Sequence, residues 1–232
     1  MRLAIMQPYF FPYIGYFQLI AAVDQFVVYD NIKYTKKGWI NRNRVLRNGK
    51  DVMFSLPLRR DSDTLEVRKR ELAADFNRGK LLNALEEAYR RAPYFAQTFP
   101  LIDRIVRHED TNLFRFLHHS LVRTCEHLGI GTAMRISSDI AVDHGLKGQD
   151  KVLALCKAVG ANTYLNAIGG EQLYSKETFR EKGIELKFVR SKPFEYTQFG
   201  NAFVPGLSII DVMMFNSRHA ITAGIASGFE LE

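Results

Sequence analysis

Three polar side chains near the N-terminus have the types and positions that ligand chemistry requires. Gln7 and Tyr13 lie in a turn rich in proline and aromatic residues and can donate hydrogen bonds to a phosphate oxygen, and Asp30 can orient an amine or a hydroxyl. Apolar runs at residues 3–6 and 26–29 flank them and predict two short strands joined by a helix. Because open parallel sheets bind ligands beyond the carboxyl ends of their strands, we predict Gln7, Tyr13 and Asp30 as the catalytic group.

The turn after the first strand also indicates how an anion is held. Two prolines stiffen the backbone, and Gly15 lets the chain enter the helix with its first amides uncovered, where phosphate or carboxylate binds. Tyr13-Ile14-Gly15-Tyr16 has the spacing of the His-x-Gly-His signature of the nucleotidyl-transferase and class I synthetase superfamily. Tyrosine replaces both histidines, and a phenol donates a hydrogen bond but supplies no cation. The similarity therefore favours the fold more than the chemistry. Tyr16 is a predicted substrate contact, and its alternative is packing of the helix onto the sheet.

A basic and aromatic stretch follows the second strand. Its predicted substrate contacts are Trp39, Asn41, Arg42 and Arg44, which combine a stacking ring with fork-shaped donors for carboxylate or phosphate. The sequence RNGK at residues 47–50 predicts the turn of a β-hairpin. The alternative for the arginines is a solvated surface beside that hairpin.

The second half of the chain returns to alternating strands and helices and supplies the remaining predicted contacts. These are Lys147, Gln149 and Asp150 at the start of a helix at residues 148–159, Gly169, Gly170 and Glu171 after a strand at residues 162–166, and Ser208 before a C-terminal helix. Further strands are predicted at residues 133–136 and 184–189. Simpler explanations are a favourable first-turn charge for Asp150, turn geometry for the glycines, and helix capping for Ser208 and Asp211.

Length and composition allow a single α/β domain at residues 1–232 with a full core. The order of strands and helices predicts a Rossmann-like parallel sheet, similar to that of the superfamily named above, and a β-hairpin. A helical insertion or cover is predicted at residues 75–128, with Pro93 and Pro100 at the joins. The net charge of +7 favours an anionic partner. Two cysteines in apolar helical patterns, no leader and no long apolar run predict a cytoplasmic protein without disulfides or a membrane span. The spacing of the histidines predicts no metal site.

Several longer motifs carry a more specific resemblance. They are MQPYFFPYIGYFQLI, GWINRNR, LKGQD, YLNAIGGE and FVPGLSIIDVMMFNS. With these motifs the chain resembles the WbqC-like protein family from end to end. The resemblance implies a bacterial cytoplasmic protein encoded among genes for O-antigen or other surface polysaccharides. It also implies a role in attaching an acyl or aminoacyl group, such as glycine, to an amino sugar, and it assigns no catalytic residue.

Together these features predict a transferase or ligase that adds an aminoacyl (glycyl) or acyl group to a nucleotide-linked amino sugar. In this hypothesis helix amides hold phosphate, Lys147 and Arg42 neutralise charge, and Asp30 orients an amine or hydroxyl. Two other classes stay open: a tRNA-binding protein of aminoacyl transfer, and a non-catalytic protein that binds nucleotide-sugars. The sequence leaves open whether ATP or a nucleotide-sugar is the cofactor, and which oligomer forms.

Overall fold

The structure is a computed structural model that describes residues 1–200 and 202–232. Its strands are β1 (Arg2–Met6), β2 (Gln25–Val28), β3 (Arg42–Arg47), β4 (Lys50–Ser55), β5 (Ala133–Ile136), β6 (Thr163–Ala167), β7 (Glu185–Ser191) and β8 (Phe229–Leu231). Its helices are α1 (Ile14–Ala21), α2 (Arg78–Tyr89), α3 (Phe95–Val106), α4 (Leu113–Leu128), α5 (Gly148–Val159), α6 (Lys176–Glu181), α7 (Ile209–Phe215) and α8 (Arg218–Ser227). None of the helices in these two ranges is both long enough and apolar enough to cross a lipid bilayer.

The first two strands lie side by side inside the main sheet. In the described part of the chain this sheet has 6 strands in the order β5-β2-β1-β6-β7-β8. Neighbouring strands are parallel except for β7 and β8. The predicted internal pair of parallel strands is therefore confirmed, as is the α/β fold class with its separate hairpin of β3 and β4.

The sheet is covered on both faces, which explains why its central strands are short and apolar throughout. Successive side chains of a strand point to opposite faces. In β1, Leu3 and Ile5 pack with α5 and α6, whereas Ala4 packs with α1 on the other face. Burial on both sides thus selects the apolar run from which the strand was predicted.

The predicted helical segment forms α2, α3 and α4, which pack into the same apolar core as α1. The prediction that Pro100 marks a join is wrong, because α3 continues through it. A proline inside a helix leaves the carbonyl four residues earlier without its usual donor. That carbonyl belongs to Ala96, which is exposed to water, while Ile102 and Ile105 bury the opposite face of α3. Solvation of the carbonyl and packing of the buried face together offset the cost of the proline.

The C-terminal helix α7 is short and entirely buried. Ser208 caps it by accepting a hydrogen bond from the amide of Ile210 at 3.2 Å, so the predicted capping is confirmed. Asp211 does more than complement the helix dipole. Its carboxylate is 0% exposed and accepts hydrogen bonds from the hydroxyls of Tyr89 and Tyr196 and from the Gln198 amide, each at 2.7 Å.

The buried Asp211 carboxylate should make stability depend on pH. Burial raises the pKa of Asp211, although the hydrogen bonds from Tyr196, Tyr89 and Gln198 oppose the shift. The native state therefore keeps this proton at pH values where the unfolded chain, with a pKa of about 3.9, has lost it. The contribution of Asp211 to the free energy of unfolding is expected to fall as pH rises above about 4. Urea denaturation of wild type and Asp211→Ala at a series of pH values measures this fall as a difference; equal slopes would assign it to other groups.

Candidate functional site

A cavity of about 930 Å³ opens at the carboxyl ends of β1, β2 and β6. This is the edge where open parallel sheets bind ligands, and the volume is that of a small-molecule site. Of the residues predicted from the sequence, the cavity brings together Gln7, Tyr13, Tyr16, Lys147, Gln149, Gly169 and Gly170. The other predicted contacts lie outside its lining.

Tyr13 stands at the start of α1 with its side chain 44% exposed. A methyl group on Gly15 would overlap both the phenol of Tyr13 and the hydroxyl of Ser191, so glycine lets the aromatic ring lie across the helix start. Tyr16 is buried, and its hydroxyl donates to the backbone oxygen of Gln7 at 2.7 Å. Burial also raises the pKa of Tyr16 well above its usual range, which keeps this hydroxyl a donor. The phenol of Tyr13 is therefore available to a ligand, whereas that of Tyr16 braces the turn.

The turn that carries Gln7 and Tyr13 is held from behind by two distant segments. Phe11 is fully buried with a φ of 42°, a strained value for a non-glycine residue. Its carbonyl accepts hydrogen bonds from the Asn43 amide at 2.8 Å and from the Ser208 hydroxyl at 2.7 Å. Ser208 is 0% exposed and thus supports the turn without lining the cavity.

The start of α5 forms a second wall. Lys147, Gly148 and Gln149 line the cavity there. The Gln149 side-chain oxygen accepts from the amide of Ser175 at 2.6 Å, which leaves its NH₂ group for a ligand. Asp150 is exposed and is not part of the cavity lining. The geometry therefore supports the simpler explanation, that its negative charge in the first turn of α5 is favourable to the helix dipole.

The two glycines after β6 have different surroundings: Gly170 is closely packed, and Gly169 faces open space. A Cβ on Gly170 would lie 2.6 Å from Nδ2 of Asn166, so only glycine admits this amide. Gly169 has nothing within 4 Å of the place where a Cβ would stand, and a ligand could occupy that space. Glu171 follows in a 3₁₀ turn at Ile168–Leu173 and is not part of the cavity lining.

Asp30 does not reach the cavity. Its side chain is 2% exposed and accepts hydrogen bonds from the Ser137 hydroxyl at 2.7 Å and from the amide and hydroxyl of Ser138 at 3.0 and 2.7 Å. These bonds attach the segment after β5 to the end of β2. The geometry therefore supports a structural role for Asp30 in place of the predicted orientation of an amine or hydroxyl.

The contacts predicted at residues 39–44, of which Arg42 and Arg44 lie in β3, are also outside the cavity lining. Asn41 is engaged by the Tyr34 hydroxyl and the Leu56 carbonyl, both at 2.8 Å. Arg42 donates from Nε to the Gly38 carbonyl at 2.9 Å. Arg44 pairs with Asp51 at 3.0 Å, donates to the Gly206 carbonyl at 3.0 Å, and lies 5.5 Å from the ring centroid of the exposed Trp39. Arg42 and Arg44 are thus each held by hydrogen bonds within the fold, although Nε of Arg44 is buried without a hydrogen-bond partner among the described residues.

The cavity also contains charged residues that sequence reasoning missed. Lys33 and Glu66 pair across an isolated β-bridge and both line it, as does His144. Burial disfavours the charged form of Glu66, but the hydrogen bond from Arg68 at 2.8 Å and the charge of Lys69 outweigh it and lower the pKa of Glu66. The Glu66 carboxylate at this wall is therefore held in its ionised form by Arg68 at 2.8 Å and Lys69 at 3.6 Å, while its backbone pairs with that of Lys33. No local motif marks Glu66, because it joins the site only through its pairing with the segment after β2.

A second depression beside α3 is larger, about 1230 Å³, and more open. Its charges are largely matched within the fold: Arg107 pairs with Asp103 at 2.9 Å, and Arg115 pairs with Asp110 at 2.9 Å. We therefore take the cavity at the sheet edge as the candidate site.

Comparison with known proteins agrees with the motifs quoted above. The profile of the WbqC-like protein family matches residues 7–223, which include the cavity lining except for Ile5 and Met6 of β1. The uncharacterized protein Rv1507c of Mycobacterium tuberculosis is 29% identical over 218 residues, covering 93% of this chain and 93% of that protein. No solved structure matches the chain. The chain belongs to the WbqC-like protein family.

Proposed function

We propose that the cavity binds a nucleotide-linked amino sugar and that the protein transfers an acyl or aminoacyl group to its amine, as a step in making an O-antigen type surface polysaccharide. One observation carries this proposal: the cavity combines two lysines, Lys33 and Lys147, with the carboxylate of Glu66. Lysines suit the phosphates of a nucleotide-sugar, and a carboxylate suits an amine. Tyr13 and Tyr174 add rings against which a base or sugar can pack.

The shape of the site supports a small ligand over tRNA. A concave cavity of about 930 Å³ can enclose a nucleotide-sugar, whereas nucleic acid binding favours an extended basic surface. The best candidates for such a surface were Arg42 and Arg44, which lie in β3. Arg42 and Arg44 are instead hydrogen-bonded within the fold.

Acyl transfer to an amine needs the two reactants held together and charge stabilised as the carbonyl carbon becomes tetrahedral. In this proposal Lys147 and the amides at the start of α5 bind the diphosphate. Glu66 holds the amino group, and Gln7 and the phenol of Tyr13 donate hydrogen bonds to the reacting oxygen. Rigid support of the turn by Asn43 and Ser208 would keep these donors in place.

Differential scanning fluorimetry tests the ligand class. UDP- and TDP-linked amino sugars are expected to raise the melting temperature more than the same nucleotides linked to sugars with a hydroxyl in place of the amine. Stabilisation by tRNA alone, with a steep dependence on salt, would contradict the proposal. A turnover assay with the stabilising nucleotide-sugar and an activated acyl donor then separates an enzyme from a binding protein.

Lys147→Met is expected to weaken binding of a UDP-linked amino sugar by about 1.5–3 kcal/mol, the range for a hydrogen bond to a charged group. The side chain is exposed, so the melting temperature of the free protein should change little. Isothermal titration calorimetry measures the affinity. Lys157→Met, at the exposed far end of the same helix, is the matched control and should bind as wild type does. An equal loss of affinity in both variants would mean that the net charge of the protein, and not a contact of Lys147, causes the effect.

Tyr13→Phe keeps the aromatic ring and removes only the phenol, so it isolates the hydrogen bond. Affinity or turnover is expected to fall by about 1 kcal/mol or more, with stability nearly unchanged because Tyr13 is half-exposed. The same titration measures it, with Tyr94→Phe at the start of α3 as a control outside the cavity. Unchanged affinity and turnover in Tyr13→Phe would leave the ring as a packing surface only.

A further inference from the structure

Lys151 is a buried lysine that the site described above does not use. It lies in the first turns of α5, and its side chain is 1% exposed beside the apolar Val152 and Leu155. Within residues 1–200 and 202–232 its ammonium nitrogen has one hydrogen-bond partner, Nδ1 of His144 at 2.8 Å, and forms no ion pair with a carboxylate. A buried cation without a counterion is costly, so its presence calls for a functional reason.

His144 connects this lysine to the cavity. Its imidazole lines the cavity wall, and its Nδ1 also lies 2.9 Å from the side-chain nitrogen of Asn31. The Asn31 oxygen is in turn 2.7 Å from the Ser137 hydroxyl, which is 2.7 Å from the Asp30 carboxylate. A polar chain thus runs from the buried end of β2 to His144 and engages only Nδ1. Among the described residues the other ring nitrogen, Nε2, has no hydrogen-bond partner, so it is available to a ligand.

Two of the proton arrangements that the 2.8 Å contact between His144 and Lys151 admits differ in which ring nitrogen carries the proton. If Lys151 is an ammonium ion, it donates to Nδ1 and the ring proton stands on Nε2. If Lys151 is a neutral amine, Nδ1 can carry the proton and donate to the lysine, and in that arrangement Nε2 is a base. The asparagine amide suits either arrangement, because rotating it by half a turn exchanges its donor and acceptor.

Burial and the charges around Lys151 decide how readily it changes between the ammonium and the neutral amine form. Burial lowers the pKa of Lys151, and the nearby carboxylates of Asp143, Glu66 and Asp30 oppose the shift while Arg68 adds to it. Asp143 comes from the loop before α5, Asp30 follows β2, and Glu66 and Arg68 lie at the 3₁₀ turn Val67–Lys69. The lysine can therefore lose its proton below the pH at which an exposed lysine does.

We propose that His144 and Lys151 form the proton-accepting pair of the site. His144 is the base for the acceptor amine, and Lys151 positions the imidazole and takes up the proton from its Nδ1. The identity of the amine rests on the function proposed above. In the step, the neutral amine forms a nitrogen–carbon bond to the carbonyl of an activated acyl donor, such as a thioester or an acyl phosphate. The bond to the leaving group breaks with its electron pair. One amine proton moves to Nε2 of His144, and the proton on Nδ1 moves to Nζ of Lys151.

Nitrogen-15 NMR of the imidazole rings tests the pair without any substrate. Spectra of the full chain are recorded from about pH 8 to about pH 10, where ordinary imidazoles are neutral, and His144 is assigned by its loss in His144→Gln. In wild type the His144 proton is expected to move from Nε2 to Nδ1 as pH rises. In Lys151→Met that movement should be lost, and in the control Lys157→Met, an exposed lysine of the same helix, it should persist.

A His144 proton that stays on one nitrogen throughout in wild type, or that moves equally in Lys151→Met, overturns the pair. Should Lys151→Met fail to fold, Lys151→Gln makes the same comparison with a neutral polar side chain. Turnover gives a second readout: His144→Gln is expected to slow acyl transfer by about 100-fold or more with little change in KM for the nucleotide-sugar. If the His144 proton moves as expected but the protein binds no UDP-linked amino sugar, the proposed function is overturned and the pairing of His144 with Lys151 stands.

Discussion

Replacing Asp211 with alanine is expected to lower the free energy of unfolding by at least about 3 kcal/mol. The Asp211 carboxylate is fully buried and is the shared acceptor for Tyr89, Tyr196 and Gln198. A buried donor left without a partner costs about 1–3 kcal/mol. Alanine removes the shared acceptor from all three donors, of which Tyr196 is half-buried and Gln198 keeps a hydrogen bond to the Val204 carbonyl at 3.3 Å. The Tyr89 hydroxyl also accepts from the Leu46 amide at 2.9 Å, so the network couples α2 and α7 to the hairpin. Chemical denaturation measures the loss.

Tyr196→Phe is the graded control for this prediction. It removes one donor and leaves the carboxylate with two, so it should cost only about 1 kcal/mol. Because the three donors share one acceptor, the cost of Asp211→Ala should exceed that of any single donor variant. An Asp211→Ala protein as stable as Tyr196→Phe would mean that the remaining donors find water or other partners.

Asn43→Ala is expected to lower both the stability and the affinity of the site. Its amide donates to the carbonyls of Phe10 and Phe11 at 3.1 and 2.8 Å, and it is 5% exposed. Losing these bonds should cost at least about 2 kcal/mol of unfolding free energy. It should also let Phe11 relax from its strained φ, which moves the turn carrying Gln7 and Tyr13. We expect affinity for a UDP-linked amino sugar to fall about tenfold, equivalent to about 1.4 kcal/mol, by calorimetric titration.

Asn77→Ala provides the comparison. Asn77 caps α2 by accepting from the amide of Lys80 at 2.8 Å, and it lies outside the cavity lining. Its loss should cost about 1 kcal/mol of stability and leave the affinity unchanged. Loss of affinity in both variants would trace the effect to general destabilisation and not to the turn.

Elements whose signals are local could be predicted closely from the sequence. The helix predicted at residues 148–159 is α5 with the same bounds, and the strand at residues 133–136 is β5. The hairpin turn holds Asn48 and Gly49 at φ values of 52° and 73°, as the tight turn of that dipeptide requires. The helix boundary predicted at Pro100 was wrong because a proline usually ends a helix. Only the packing of α3 shows that this helix continues through it.

The residues of the candidate site likewise fall into those that local signals predict and those that only the tertiary structure reveals. Gln7, Tyr13, Lys147 and Gln149 could be placed at the cavity because the ends of parallel strands and the starts of their helices meet at one edge of a sheet. Asp30 could not be excluded from it, because its carboxylate is bonded by another segment of the chain, whereas the hydrogen bond of Arg42 is local, to Gly38. The partner of Asp30 is Ser137, which is 107 positions away in the chain. Lys151 escaped notice because it is a single charge within an otherwise apolar helix face.

By itself the sequence determined β1, β2, β5, β6 and β7, the helices α1, α5 and α7, the hairpin, the Ser208 cap and the family, because each depends on residues close together in the chain or on motifs of fixed spacing. The tertiary structure alone decided which polar side chains are free to meet a ligand. A side chain with several donors or acceptors bonds whichever partner folding brings within about 3 Å, and that competition is settled by distant segments. Thus Ser208, Asn43 and Asp30 became supports, while Glu66 and His144 entered the cavity wall.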